Sequence, residues 1–81
     1  MRVKVRLFAQ LRDVTQAADV DCTVDAPATV RDVWQTLVRQ HPALAAFSSS
    51  LSSAVNLAYV RMDAAVHEGD EVAFLPPVSG G

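Results

Sequence analysis

The chain closes on Phe74-Leu75-Pro76-Pro77-Val78-Ser79-Gly80-Gly81, and the chemistry available there belongs to the terminus itself. A free carboxylate is a poor electrophile. Once ATP converts it to an acyl adenylate, it can accept sulfur or be attacked by an amine. Two terminal glycines suit that use, because without a β-carbon the backbone can thread a narrow channel and approach another backbone closely. Pro76 has no N–H, so the strand-like run Glu71–Leu75 cannot extend its ladder through it, and the proline pair holds the start of the tail extended. Six residues at ~3.1 to 3.4 Å each reach about 20 Å, enough to enter a partner's buried site. A frayed end would read the same way by composition alone.

The other chemistry-bearing side chains form no constellation. Cys22 is the single cysteine, which excludes an internal disulfide or an iron–sulfur cluster held by this chain alone and leaves a structural role. His41 and His67 are distant from each other and lack metal-ligand spacing with Cys22. No His-Glu-x-x-His, Cys-x-x-Cys or glycine-rich phosphate loop occurs. No metal site is expected. His67, beside Glu68, reads as a solvated turn residue. Ser48, Ser49 and Ser50 lack the Gly-x-Ser-x-Gly context of an activated nucleophile. A catalytic apparatus is therefore expected elsewhere than in this chain.

The elements that position the tail follow from pattern. Eighty-one residues make one small domain, burying only ~60 to 65% of its unfolded surface. A hydrophobic content of 51% with 20% charged residues is that of a packed globular chain. No apolar run approaches the roughly 18 residues of a membrane span, and Met1–Arg6 alternates too strictly for a signal sequence. A cytoplasmic protein without a membrane partner is expected. The net charge of −2 argues against a nucleic-acid partner. Residues 62 to 81 hold Asp63, Glu68, Asp70 and Glu71 with no Lys or Arg, a pattern that fits a basic partner site and a solvated turn equally.

Residues 2 to 8 alternate, with Val3, Val5 and Leu7 on one side and Arg2, Lys4, Arg6 and Phe8 on the other. After a polar stretch around Arg12–Ala18, Asp19–Asp25 alternates again with Val20, Cys22 and Val24 inward, which predicts an N-terminal hairpin. Thr29 stands three residues before Asp32, a capping box opening a helix near Val30. Val30, Val33, Trp34, Leu37 and Val38 form its apolar stripe, and His41-Pro42 stops it. Residues 43 to 53 are serine-rich and predict a short irregular or one-turn helical connection packing Leu44, Phe47 or Leu51. Residues 54 to 62 read as one strand, with Ala58 and Val60 on one face and Leu57, Tyr59 and Arg61 on the other. Gly69 supplies a turn before a last strand over 71–75, with Val72 and Phe74 inward and Ala73 and Leu75 outward.

This order predicts an α+β fold, one main helix on one face of a mixed sheet, and a β-grasp arrangement fits. The domain takes residues 1–75 and the tail 76–81. A helix covering the inward face leaves Phe8, Tyr59 and Leu75 on the open face. Singly, such residues need no explanation; three from separate strands make a patch suited to a protein partner.

"LFAQLRD" at 7–13, "AVN" at 54–56 and above all "GDEVAFLPPVSGG" at 69–81 make the whole chain resemble the small-subunit family of molybdopterin synthase, ubiquitin-like sulfur carriers of β-grasp fold. The resemblance implies that the first and last strands lie side by side, parallel, at the sheet centre. It implies a cycle in which an adenylyltransferase activates the Gly81 carboxylate with ATP and a sulfurtransferase system converts it to a thiocarboxylate. The tail then enters the large synthase subunit, which holds the catalytic residues, and sulfur passes to cyclic pyranopterin monophosphate to build the molybdopterin dithiolene in molybdenum cofactor biosynthesis. The implied assembly is a heterotetramer of two small and two large subunits, with no cofactor bound by the small chain. On this resemblance Gly81 bears sulfur, Gly80 threads, Pro76, Pro77, Val78 and Ser79 dock, and Phe8, Tyr59 and Leu75 contact the partners. A terminal Gly-Gly also fits a thiamine-type sulfur carrier, or a ubiquitin-like modifier joined to lysines through Gly81.

Overall fold

The fold turns on a parallel pair. In the computed structural model, which describes residues 1–77, strand β1 (Arg2–Leu7) lies alongside β7 (Glu71–Leu75) in the register Val5↔Val72 and Leu7↔Phe74. Both strands are central in a five-stranded mixed sheet of order β2-β1-β7-β4-β5, with β2 at Asp19–Thr23, β4 at Ser52–Val55 and β5 at Ala58–Val60. Every other contact of this sheet is antiparallel. The β-grasp expectation holds, including the parallel centre.

The alternation in β1 and β7 decides which face is covered. Val3, Val5, Leu7, Val72 and Phe74 are buried under helix α2 (Val30–Gln40), whose Val30, Val33, Trp34 and Leu37 complete the core. The Trp34 and Phe74 rings meet with centroids 5.0 Å apart at 57°, within the range of favourable tilted aromatic pairs. Helix α2 opens as the spacing predicts: the Thr29 hydroxyl accepts from the Asp32 amide at 3.4 Å, and the Asp32 carboxylate accepts from the Thr29 amide at 2.8 Å. Two further donors of the first turn are satisfied across the chain, Val30 N–H by the Ala64 carbonyl and Arg31 N–H by that of Met62. A two-stranded ribbon of β3 (Ala28–Thr29) with β6 (Ala65–Val66) ties the same corner. After Pro42 the chain continues as a 3₁₀ helix over Pro42–Phe47 that buries Leu44.

The structure differs from the sequence expectations in three places. The polar stretch after β1 contains a helix, α1 (Gln10–Thr15), which the pattern hides because a turn and a half offers only Leu11 and Thr15 as buried positions. Thr15 is satisfied there by donating to the Leu11 carbonyl at 3.0 Å. The run read as one strand over 54–62 is a hairpin: Asn56 and Leu57 both take positive φ, 50° and 72°, as a tight two-residue turn between β4 and β5 demands. Leu57 therefore belongs to a turn, and Arg61 lies beyond β5. The β3–β6 ribbon is too short to leave an alternating signature.

Leu11 is wholly buried although it lies in the segment with the weakest pattern. Leu11→Ala should lower the stability by about 2 to 4 kcal/mol, read as a drop in the urea midpoint with an unchanged slope. A loss under half a kcal/mol would mean that α1 is not part of the cooperative core.

Candidate functional site

The uncovered sheet face carries the candidate site, and cross-strand register arranges it in rows. One row runs Asp19, Arg6, Ala73, Ala54, Tyr59 from edge to edge. Extending the β1–β7 register by one residue sets Phe8 beside Leu75, whose other neighbour is Ser52. The patch thus has Phe8 and Leu75 at the end where β7 finishes, Tyr59 on the far edge, and alanines between them. Tyr59 is 76% exposed and Phe8 39%, while Leu75 is half-buried. The structure brings these three to one face, as strand parity predicts.

The β1–β2 side of the face is charged, with one ion pair among the described residues. Arg6 Nε lies 3.3 Å from the Asp19 carboxylate, and its guanidinium carbon sits 5.8 Å from the Phe8 ring centroid, within cation–π range. Lys4 stands between Asp21 and Glu71 in register. Opposite charges across strands stabilise the sheet, while Arg2 stands opposite Thr23, so β1 and β2 carry Arg2, Lys4 and Arg6 against Asp19 and Asp21. An apolar strip on β7, β4 and β5 beside a mixed-charge strip on β1 and β2 can bind a largely apolar protein surface with charges at its margin.

Beyond the last sheet pair, Ser52↔Leu75, come Pro76, half-buried, and Pro77, exposed. The chain leaves the sheet next to Phe8. Val78, Ser79, Gly80 and Gly81, assigned to docking, threading and sulfur-bearing, lie outside the described residues.

Two residues named in the sequence, Leu57 and Asn56, have roles that the sequence did not assign. Leu57 is 89% exposed at the tip of the β4–β5 turn, next to Tyr59's strand. A bulky side chain at positive φ carries backbone strain, and nothing in its sequence neighbourhood signals this. Asn56, noted only as part of a motif, is a clamp. Its backbone N–H donates to the Glu71 carbonyl at 2.8 Å, its side-chain oxygen accepts from the Glu71 amide at 3.0 Å, and its Nδ2 donates to the Asp70 carboxylate at 3.0 Å. The turn is thereby fastened to the start of β7. Asparagine's tolerance of the left-handed region was the available clue.

The acidic cluster before β7 is largely occupied by this turn. Glu68 accepts from the Arg2 amide at 3.0 Å, and Asp70 accepts from the His67 amide at 2.8 Å. Gly69, at φ 83°, lets the chain reverse and donates to the Arg2 carbonyl. The Asn56 hydrogen bond, followed by that from His67, holds the Asp70 carboxyl below its ordinary range. Cys22 is buried on the core face, and burial pushes its thiol up despite the field of Arg39, which suppresses the reactive thiolate. His67 is exposed, its Nδ1 3.7 Å from Asp70. Among the described residues no three His, Cys, Asp or Glu side chains cluster as a metal site would require. Among the described residues no helix is long and apolar enough to cross a membrane.

Comparison with known proteins adds an independent finding. The ThiS family matches residues 5–81. The molybdopterin synthase sulfur carrier subunit of Escherichia coli (strain K12) is 40% identical over 81 residues, covering 98% of this chain and 99% of that one. The small archaeal modifier protein 1 of Haloferax volcanii is 39% identical over 84 residues, covering 94% and 97%. The crystal structure of SAMP1 from Haloferax volcanii superposes with a TM-score of 0.87 over the whole of both chains at 34% identity.

The Asn56–Asp70 clamp makes a measurable contribution. A carboxyl whose folded pKa is depressed takes up its proton first in the unfolded state, so its stabilisation is present at neutral pH and is lost as pH falls below about 4. Asn56→Ala should lower stability at pH 7 by about 1 kcal/mol and flatten the fall in urea midpoint between about pH 5 and pH 3. Parallel pH profiles for the two proteins would show that the clamp does not set the Asp70 charge.

Proposed function

The chain belongs to the ThiS family, and from that premise we propose that it is the sulfur-carrier subunit of a molybdopterin synthase. The observation that carries the reading is the full-length relationship to molybdopterin synthase sulfur carrier subunits, the Escherichia coli one at 40% identity, together with a proline-marked exit beside an exposed apolar patch. The Gly81 carboxylate attacks the α-phosphate of ATP in an activating adenylyltransferase, releasing pyrophosphate, and sulfide-level sulfur delivered by a sulfurtransferase system then attacks the acyl carbon and displaces AMP to leave a thiocarboxylate. Inside the large synthase subunit the thiocarboxylate gives its sulfur to cyclic pyranopterin monophosphate and returns as a carboxylate. Two such turnovers build one dithiolene, and two small chains serve two large ones in a cytoplasmic heterotetramer.

In this cycle the chain supplies position and a reactive end, and the large subunit supplies the catalytic side chains. The body docks through Phe8, Tyr59 and Leu75, with Leu57 at the margin. Pro76 and Pro77 aim the tail away from the sheet, Val78 and Ser79 dock it, and Gly80 admits Gly81 to a confined site. Burial of Phe8 and Tyr59 at an interface would remove two large apolar surfaces from water, each the kind of aromatic anchor on which binding energy concentrates.

A second reading has its own support: the 39% identical relative is named a small archaeal modifier protein, and conjugation of Gly81 to lysines proceeds through the same adenylate. Intact mass spectrometry after incubation with the activating enzyme, ATP and a sulfur source separates the two. A sulfur carrier gains one oxygen-to-sulfur exchange, whereas ladders of isopeptide-linked proteins without that exchange would establish the modifier. Deletion of Gly81 should abolish molybdopterin formation while leaving the fold intact.

The docking surface is tested by Phe8→Asp, which places a charge where the partner must desolvate it. Binding to the large subunit should weaken about tenfold or more with a native circular dichroism spectrum. Unchanged binding would remove the open face from the interface.

A further inference from the structure

A second surface, on the helix side of the sheet and apart from the open face, has its own recognition chemistry. A groove between α2 and the segments that follow it is lined by Arg31, Trp34, Val38, Arg39, Ser48 and Met62. Val38 and Met62 are half-buried and pack against the core, so the floor is apolar yet reachable. The indole N–H of Trp34 donates to the Ser48 hydroxyl at 2.9 Å, which leaves that hydroxyl its own proton to offer a ligand. Arg31 and Arg39 are exposed, and among the described residues neither guanidinium lies within ion-pair distance of a carboxylate. Arg39 donates one hydrogen bond, to the Thr36 hydroxyl at 3.1 Å, and stands on the ridge between this groove and the neighbouring cleft that Asp25 and Asp32 line. The first-turn carboxylate, Asp32, is committed to the helix cap. Both arginines border one apolar floor in a chain whose net charge is −2.

Eight residues of helix separate the two arginines, about 12 Å along the axis at ~1.5 Å per residue. An extended strand advances about 13 Å over four residues, with every second side chain on one face. We propose that this groove docks an extended acidic segment of a partner protein with the pattern acidic-x-apolar-x-acidic. The two carboxylates meet Arg31 and Arg39, the central apolar side chain rests on Val38 and Met62, and the Ser48 hydroxyl donates to the segment's backbone. Because the groove and the open sheet face lie on opposite sides of the sheet, the site can be occupied while the open face is engaged. The inference stands apart from the sulfur-carrier reading and does not depend on it.

Trp34 is the chain's single tryptophan and lines the groove, so its emission reports occupancy directly. Acetyl-Glu-Ser-Leu-Ser-Glu-amide, titrated into the full chain at low salt, should produce a saturable change in Trp34 emission with half-saturation near millimolar. The same peptide with both Glu replaced by Gln should bind about five- to tenfold more weakly, the scale expected of two exposed ion pairs. The double variant Arg31→Gln with Arg39→Gln should erase that difference, and Arg12→Gln, on α1, should leave it intact. Amide chemical-shift changes should fall on α2 and residues 48 and 62 and spare β5 and β7. Absence of saturable binding, equal binding of the charged and neutral peptides, or a charge preference that survives the double arginine variant would overturn the proposal.

Discussion

Pairing the last strand with the first, parallel and at the sheet centre, is the constraint on which the rest of the molecule depends. A parallel pair cannot be closed by a tight turn; it needs a long crossover, and here nearly the whole chain between Leu7 and Glu71 serves as that crossover. Helix α2 lies within it and covers the face on which Val5, Leu7, Val72 and Phe74 alternate. The same pairing makes both strands end together. The residue after β1, Phe8, and the last residue of β7, Leu75, are neighbours, and the proline exit begins beside them.

That geometry separates two jobs within one strand. Phe74 points into the core and meets Trp34, so the base of the tail is anchored in the best-packed part of the protein. Leu75 points the other way, and Pro76 then forbids further ladder pairing. A tail that began on a peripheral strand would inherit the fraying of that edge, whereas this one departs from a strand hydrogen-bonded on both sides. Asn56 and the Asp70 turn reinforce the other end of β7, so both ends of the strand are held in place by contacts remote in sequence.

The covered and open faces also divide the protein's contacts. On the open face, charges pair across β1 and β2 and apolar side chains gather toward β4, β5 and the end of β7. On the helix side, arginines flank an apolar groove. A small domain of this kind can present two surfaces of different chemistry because the sheet between them is one layer thick.

Period-two alternation in residues 2 to 8 and 71 to 75, the Thr29–Asp32 capping spacing, the apolar stripe of α2 and the end of β7 before Pro76 were all written in local sequence, because each depends on residues within a turn or two of one another. They sufficed for the fold class and for Phe8, Tyr59 and Leu75 as a shared face, since strand parity alone assigns each side chain to one side of a sheet. What lay out of reach was set by partners far along the chain. Helix α1 exists because Leu11 finds the core, not because a six-residue segment has helical periodicity of its own. The hairpin breaks at Asn56-Leu57 because Glu71 and Asp70 hold Asn56 in its turn, although Leu57 opposes positive φ. The groove between Arg31, Arg39 and Met62 likewise joins segments that only tertiary packing brings together. Local periodicity determined which face each residue would show; tertiary packing decided which segments would stand beside it, because that choice rests on burial and hydrogen bonds between residues distant in the chain.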